Sequence, residues 1–316
     1  MFFPDYFING VIQAFSIKPL MPPVSIKRIT QLSYRALREV WRVVTKEDAR
    51  DGKYVRSFVS AMNEKARRLG ANDSLFIDPA GYDVEGSKAT AHDLLVLFAK
   101  ALENESIREI LSTKEYSIKI DGIYKRVKKI ETTVKGQDFD EGIFPIIAGK
   151  TGTSPGHSYN LLMLTRLSSG ERIVCSILGS LSDERRWKDA YALVGYADKL
   201  LSGEDASVEV SASSYEISEY PSLRTIAAKS PDNEEVPASL TKIATALTAV
   251  DFIDEWDQRV TIHSSDRMRG SGNHLYIGDV VTVRDLFYDM LLPSGNSAAR
   301  TLARYLGRTV KLKTKV

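Results

Sequence analysis

The chain of 316 residues contains a single cysteine, Cys175, so no disulfide can form within it and its redox compartment is not readable from thiols. Cys175 lies in the strand-like run Ile173-Val-Cys-Ser-Ile-Leu178 and reads as a buried small hydrophobe. Histidine is scarce too: His92, His157, His263 and His274 lack the short spacings of a metal centre, and no zinc site is expected. No charge sign dominates. With 43 basic and 41 acidic residues the net charge is +2, which excludes the basic footprint of a nucleic-acid-binding domain. Long apolar runs are also missing. Met1 to Phe15 is aromatic and apolar, but Pro4, Asp5 and Asn9 interrupt it and no Lys or Arg precedes it. It makes a poor signal peptide and is too short to span a bilayer.

What is present is ordinary globular material, 43% hydrophobic and 27% charged, enough for one large domain or two smaller ones. The chain is organised around Pro237-Ala-Ser-Leu-Thr-Lys242 and the run Ile243-Ala-Thr-Ala-Leu-Thr-Ala249. Free of Gly and Pro, this run reads as a buried helix with Pro237 at its start. Helical spacing places Ser239 and Lys242 on one face, about a turn apart. A serine becomes a useful nucleophile when a base takes its proton, and a lysine whose pKa is pulled down by burial or a nearby cation can be that base. The plainer reading is a helix cap followed by a solvated lysine. Against it, this is the one Ser-x-x-Lys in the chain, and its helix is otherwise apolar.

Upstream, Pro19, Pro22 and Pro23 break the chain, and Ser25 to Lys46 is periodic, amphipathic and basic through Lys27, Arg28, Arg35, Arg38 and Arg42. This segment, residues 25–46, is suited either to peripheral membrane contact or to packing on the body of the protein. Asp48 to Lys53 reads as a linker, which leaves residues 1–52 as an unassigned leader and 53–316 as a single domain. Tyr54 to Leu69 is predicted helical and stopped by Gly70, and Phe76 to Gly81 is a turn. Thr90-Ala-His-Asp93 has the pattern of a capping box that opens a helix. Lys114 to Val134 alternates as paired strands, and Tyr159–Thr165 with Arg172–Leu178 form another antiparallel pair. Trp187 to Leu201 is predicted helical, 202–207 a connector, and Val208–Tyr220 and Thr225–Ala228 strands.

Two further stretches carry chemistry. Phe144-Pro-Ile-Ile-Ala-Gly-Lys-Thr-Gly-Thr153 is an apolar strand running into Lys150-Thr-Gly-Thr, where Gly152 lets a ligand approach the backbone. Leu291-Leu-Pro-Ser-Gly-Asn-Ser-Ala-Ala299 sets Ser294-Gly-Asn296 in a tight loop between the predicted helices Val283–Leu292 and Ala298–Leu306. Two other Ser-x-Asn triplets, Ser158-Tyr-Asn160 and Ser271-Gly-Asn273, compete with it, and turn chemistry explains any of them about as well.

Ser239-x-x-Lys242, Ser294-x-Asn296 and Lys150-Thr-Gly152, with flanks such as PASLTKIATALTA and IAGKTGTSPGHSYNL, resemble the low-molecular-mass D-alanyl-D-alanine carboxypeptidases, penicillin-binding serine peptidases. The resemblance covers roughly 54–201 and 208–308. One departure is large: in that family the Ser-x-x-Lys motif comes first and Lys-Thr-Gly last, whereas here Lys150 precedes Ser239. The order is that of a circular permutation, with the family's ends joined through 202–207, or of a fusion between halves of two gene copies.

The resemblance implies an α+β, β-lactamase/transpeptidase-like fold, circularly permuted: an antiparallel sheet flanked by helices plus a helical subdomain. It implies Ser239 as nucleophile, Lys242 as general base, Ser294 as proton relay to the leaving amine and Asn296 as a clamp on the substrate backbone. Lys150 would be the cation that depresses Lys242 and, with Thr151 and Thr153 beside Gly152, would receive the substrate's terminal carboxylate. The N–H groups of Ser239 and Thr153 would form an oxyanion hole, worth about 3–4 kcal/mol per donor. No cofactor or metal is required. The implied substrate is the D-Ala-D-Ala end of a peptidoglycan pentapeptide, β-lactams are the implied inhibitors, and the implied place of action is outside the cytoplasm. A serine β-lactamase shares the motifs, although no Glu-x-x-Leu-Asn run is present. An inactive penicillin-binding remnant is the non-enzymatic alternative.

Overall fold

The computed structural model describes residues 34–82, 86–122, 124–135, 144–154, 158–272 and 274–313, with side chains described between 50 and 310. Residues 1–33, and with them part of the amphipathic segment 25–46, lie outside the described residues.

A five-stranded antiparallel sheet organises the fold. Its strands are β3 (Ile146–Ser154), β4 (Ser158–Arg166), β5 (Arg172–Ser180), β6 (Ser214–Glu219) and β7 (Thr225–Lys229), adjacent in that order. Side chains of period two divide the sheet into two apolar faces. Leu161, Met163, Ile173, Cys175 and Ile177 point to one face, where Trp187, Leu193 and Val194 of helix α4 (Asp183–Leu201) cover them. Leu162, Leu164, Val174 and Leu178 point to the other, against helices α2 (Ala91–Glu103) and α5 (Thr241–Ala249). With both faces covered, the central strands are apolar on both sides.

Beyond α5 the larger core continues into a mostly helical region. It is built from α1 (Tyr34–Arg68), α3 (Glu105–Ser112), α6 (Val283–Leu291) and α7 (Asn296–Lys313). Two small hairpins, β1 (Glu115–Ile120) with β2 (Arg126–Glu131) and β8 (Arg259–Thr261) with β9 (Val280–Thr282), complete it. The α+β class with an antiparallel sheet flanked by helices, expected from the family resemblance, is what the structure has.

Local chemistry sets the element boundaries. Thr282 and Asp285 form a reciprocal capping box at the start of α6, and Ser182 caps α4 by accepting the Arg185 N–H at 3.1 Å. The expected box at Thr90 is only half present. Thr90 Oγ1 accepts the Asp93 N–H at 3.0 Å, while the Asp93 carboxylate turns to Asp73 N and Ser74 Oγ, both at 2.8 Å.

Two expectations are corrected. Asp48–Lys53 is no linker but part of continuous α1. Buried Asp51 anchors that turn by accepting from His263 Nδ1 at 2.8 Å and Ser265 Oγ at 2.9 Å. The strand expected over Val208–Tyr220 begins only at Ser214. Its earlier backbone is diverted, because Ser211 N–H donates to Asp189 on α4 at 2.8 Å and Ala212 O accepts Lys229 Nζ at 2.7 Å.

Helices α1 and α7 touch backbone to backbone at Gly307, where a Cβ would stand 2.1 Å from the Tyr54 carbonyl oxygen. Gly307→Val is expected to force the helices apart and to cost about 1–3 kcal/mol, as overpacking does. Thermal unfolding measures it, and an unchanged midpoint would mean that the two helices do not cross there.

Candidate active site

The site forms where the edge strand β3 meets the turn leading into α5. Ala238–Leu240 is a single 3₁₀ turn and not yet α-helix, so Ser239 sits on the lead-in and Lys242 on the second residue of α5. Ala238 has φ +48°, a left-handed conformation that costs a non-glycine residue energy and turns the chain sharply before the serine. The segment is fixed from two sides. Asn160 Nδ2 on β4 donates to Val236 O at 2.8 Å and to Pro237 O at 3.3 Å. Gly152 on β3 lies so close that a Cβ would stand 2.7 Å from Pro237 O and 3.0 Å from Leu240 Cγ.

Ser239 is partly exposed, whereas Lys242 is fully buried. Lys242 Nζ reaches three acceptors: Ala80 O at 2.6 Å, Ser239 Oγ at 2.8 Å and Asn296 Oδ1 at 2.9 Å. As an ammonium it donates to all three. As a neutral amine it has two donors for the two carbonyl oxygens and a lone pair left for the serine hydroxyl. Burial pulls its pKa down to about 7, against the carboxylates of Asp78 and Asp289, which pull upward.

The other motif residues converge on the same place. Ser294, at φ +64°, directs Oγ to Lys150 Nζ at 2.9 Å, and Lys150 also donates to Thr151 O at 2.9 Å. Lys150 is completely buried, and its pKa lies well below the usual lysine range, first through burial and then through repulsion by Lys242 and Arg186. Burial is the largest cause of the lowered pKa in both lysines, and Lys150 and Lys242 lie close enough to repel each other. Thr151 Oγ1 pairs with Thr133 Oγ1 at 2.6 Å. Ser239, Thr151, Thr153 and Ser294 line one cleft of about 260 Å³ with Thr133, Lys135, Asp183, Arg186 and Ser271. Larger hollows of about 430 and 630 Å³ lie elsewhere and contain none of the motif side chains.

Of the three Ser-x-Asn triplets, the one at 294 faces the lysines. Ser158 and Asn160 bond each other, and Asn160 supports the serine turn. Asn273 lies outside the described residues.

Sequence reasoning missed Arg186 and Asn160. Arg186, 4% exposed on α4, pairs with Asp183 and donates to Thr153 Oγ1 at 3.0 Å and to Gly152 O and Asn160 O, both at 3.3 Å. Asp183 and Arg186 precede the helix expected from Trp187, whose observed start is Asp183, and no local signal turned Arg186 inward.

A buried lysine hydrogen-bonded to a partly exposed serine, facing a second buried lysine across a cleft at a sheet edge, is an arrangement suited to serine–lysine chemistry. Comparison with known proteins gives the family. The family profile for D-alanyl-D-alanine carboxypeptidase matches residues 52–181 and 202–311, and the chain belongs to that family. Among similar proteins, a D-alanyl-D-alanine carboxypeptidase of Streptomyces sp. (strain K15) is 25% identical over 142 residues, 45% of this chain and 48% of that protein. D-alanyl-D-alanine carboxypeptidase DacC of Escherichia coli (strain K12) is 27% identical over 138 residues, 44% of this chain and 32% of that protein. DacF of Bacillus subtilis (strain 168), a D-alanyl-D-alanine carboxypeptidase by name, is 36% identical over 58 residues, 18% of this chain and 15% of that protein. The matches thus span about half or less of the length of these relatives.

Because β3 presses on the serine turn through Gly152, Gly152→Ala is expected to destabilise the fold by about 1–3 kcal/mol. Chemical denaturation measures the loss, and wild-type stability would show that the strand and the turn are not in contact.

Proposed function

We propose that this protein is a serine-type D-Ala-D-Ala carboxypeptidase that acts on peptidoglycan stem peptides through an acyl-enzyme. The observation that carries the reading is the buried Lys242 amine, 2.8 Å from Ser239 Oγ and with a pKa of about 7. In its neutral form Lys242 accepts the Ser239 proton through the lone pair that its two carbonyl partners leave free. Ser239 Oγ then attacks the carbonyl between the two D-alanines. The N–H groups of Ser239 and Thr153 receive the oxyanion.

Ser294, bonded to Lys150, carries a proton to the leaving D-alanine nitrogen, and Asn296 positions the peptide backbone. The terminal carboxylate enters the end of the cleft formed by Lys150, Thr151, Thr153 and Arg186. Its arrival favours the charged form of Lys150, which burial and its cationic neighbours otherwise disfavour. Water then enters to release the shortened peptide. A β-lactam presents a strained amide and a carboxylate to the same groups and acylates Ser239.

Such a substrate places the protein's action outside the cytoplasm, where members of the family work on peptidoglycan. Among the described residues no helix is long and apolar enough to cross a membrane. The chain order, with Lys150 ahead of Ser239, is read as a circular permutation in which one chain closes one complete site.

Incubation with a fluorescent penicillin is expected to label Ser239, located by mass spectrometry, and Ser239→Ala to abolish the label. The labelling rate should fall about tenfold per pH unit below pH 7, as Lys242 takes up its proton. Lys150→Ala should lower kcat/KM on a D-Ala-D-Ala peptide by about 1.5–3 kcal/mol, roughly tenfold to over a hundredfold. A label on Ser294 would overturn the assignment of the nucleophile, and rapid release of the penicillin would favour a β-lactamase.

A further inference from the structure

Beneath the turn that carries Ser294 and Asn296 lies a carboxylate that the proposed chemistry does not use. Asp289, on α6, is fully buried. Its Oδ1 pairs with His274 Nε2, while Oδ2 has no hydrogen-bond partner among the described residues. The free oxygen faces Gly295: a Cβ there would stand 2.5 Å from Oδ2 and 2.8 Å from Asp289 O, which accepts the Gly295 N–H at 2.7 Å. The next residue, Asn296, accepts from Lys242 Nζ.

The turn is covered from the other side by the strap 269–272. Arg269 O accepts Asn296 Nδ2 at 2.7 Å, Ser271 O accepts Asn296 N–H at 3.2 Å, and a Cβ on Gly272 would stand 2.3 Å from Gly295 Cα. Just beyond that strap, His274 reaches over to Asp289, and the His274 carbonyl accepts from Arg126 Nη2 at 2.9 Å. The His274–Asp289 pair therefore fastens the strap to the helix below the turn. Fastening alone does not require charge. A buried ion pair is often replaceable by apolar side chains without loss of stability, and an unpartnered carboxylate oxygen adds a desolvation cost.

We propose that Asp289, clamped by His274, is a positioning residue of this site, holding the Ser294–Asn296 turn against Lys242 and supplying a buried negative charge that this lysine faces. Its meaning for catalysis rests on the serine–lysine reading above. Lys242 faces Asp78 from the 76–81 turn, Asp289 from α6 and Lys150 from β3, and Asp289 in turn faces His274, Lys242 and Asp285. Burial pulls Lys242 down while the two carboxylates hold it up; burial also raises Asp289, and His274 and Lys242 favour its ionised form, in which it keeps the amine basic enough to take a serine proton.

The test follows Lys242 in two ways on the full chain: its ionisation by NMR with isotope-labelled lysine, and the pH profile of acylation by a fluorescent penicillin. Asp289→Asn removes the charge and is expected to lower the Lys242 midpoint by about one unit, with the acid limb of acylation moving alike. His274→Gln withdraws the imidazole partner that favours the ionised Asp289 carboxylate and is expected to move both in the same direction as Asp289→Asn, by less. Thermal unfolding identifies which variants are folded, and if only one folds, its direction decides. An unchanged midpoint in Asp289→Asn, or an upward movement in either variant, overturns the proposal. If the lysine shifts as expected but no chain is acylated, the positioning role stands and the carboxypeptidase reading fails.

Discussion

The structure depends on burying the Lys242 ammonium group beside a serine. Removing a lysine from water without compensation is costly, and the cost falls when the group loses its proton or finds acceptors. Here both occur: three oxygens from three parts of the chain surround Nζ, and its pKa is drawn down to about 7. Each acceptor must be held in place, because a wandering carbonyl would leave the amine unsatisfied. Much of the surrounding architecture is the means of holding them.

That holding is done largely by close backbone approach. Gly81, Gly152, Gly272 and Gly295 each stand where a Cβ would overlap a neighbouring atom at 2.7 Å or less. At Gly81 the neighbour is Ala238 O, so the turn that supplies Ala80 O rests directly on the serine turn. Ala238 and Ser294 adopt left-handed backbone without being glycine, and both lie within the site. Residues in such conformations persist when their surroundings over-determine them, and here the Asn160 bonds and the strap 269–272 do so.

A second lysine in the same cleft raises the stakes. Lys150 shares its surroundings with Lys242 and Arg186, and mutual repulsion among these three basic groups, all nearly buried, disfavours the charged form of Lys150. Asp183 offsets Arg186, and the carboxylates Asp78 and Asp289 offset Lys242. The cleft is small, about 260 Å³, and its chemistry, not its size, distinguishes it from the larger hollows elsewhere.

The sequence alone marked most of the elements and the three motifs, because both rest on local signals. The apolar runs Tyr159–Thr165 and Arg172–Leu178 marked the central strands, and Ser239-x-x-Lys242 on an apolar run marked a candidate nucleophile and base. Local signals failed where a distant partner decides. Asp48–Lys53 looked like a linker because its charges are typical of one, yet Asp51 is buried against His263 and Ser265, far along the chain. Val208–Ser213 alternated like a strand, but Asp189 takes its backbone. Of the three Ser-x-Asn triplets the one at 294 was favoured by its tight loop between two helices, and packing against Lys150 and Lys242 sets Ser294 and Asn296 apart in space. Arg186 and the His274–Asp289 pair carried no local mark, since a charged side chain on a helix faces water unless a neighbour buries it. Burial and the electrostatics that follow from it depend on contacts between residues remote in sequence, and the tertiary structure alone decided them.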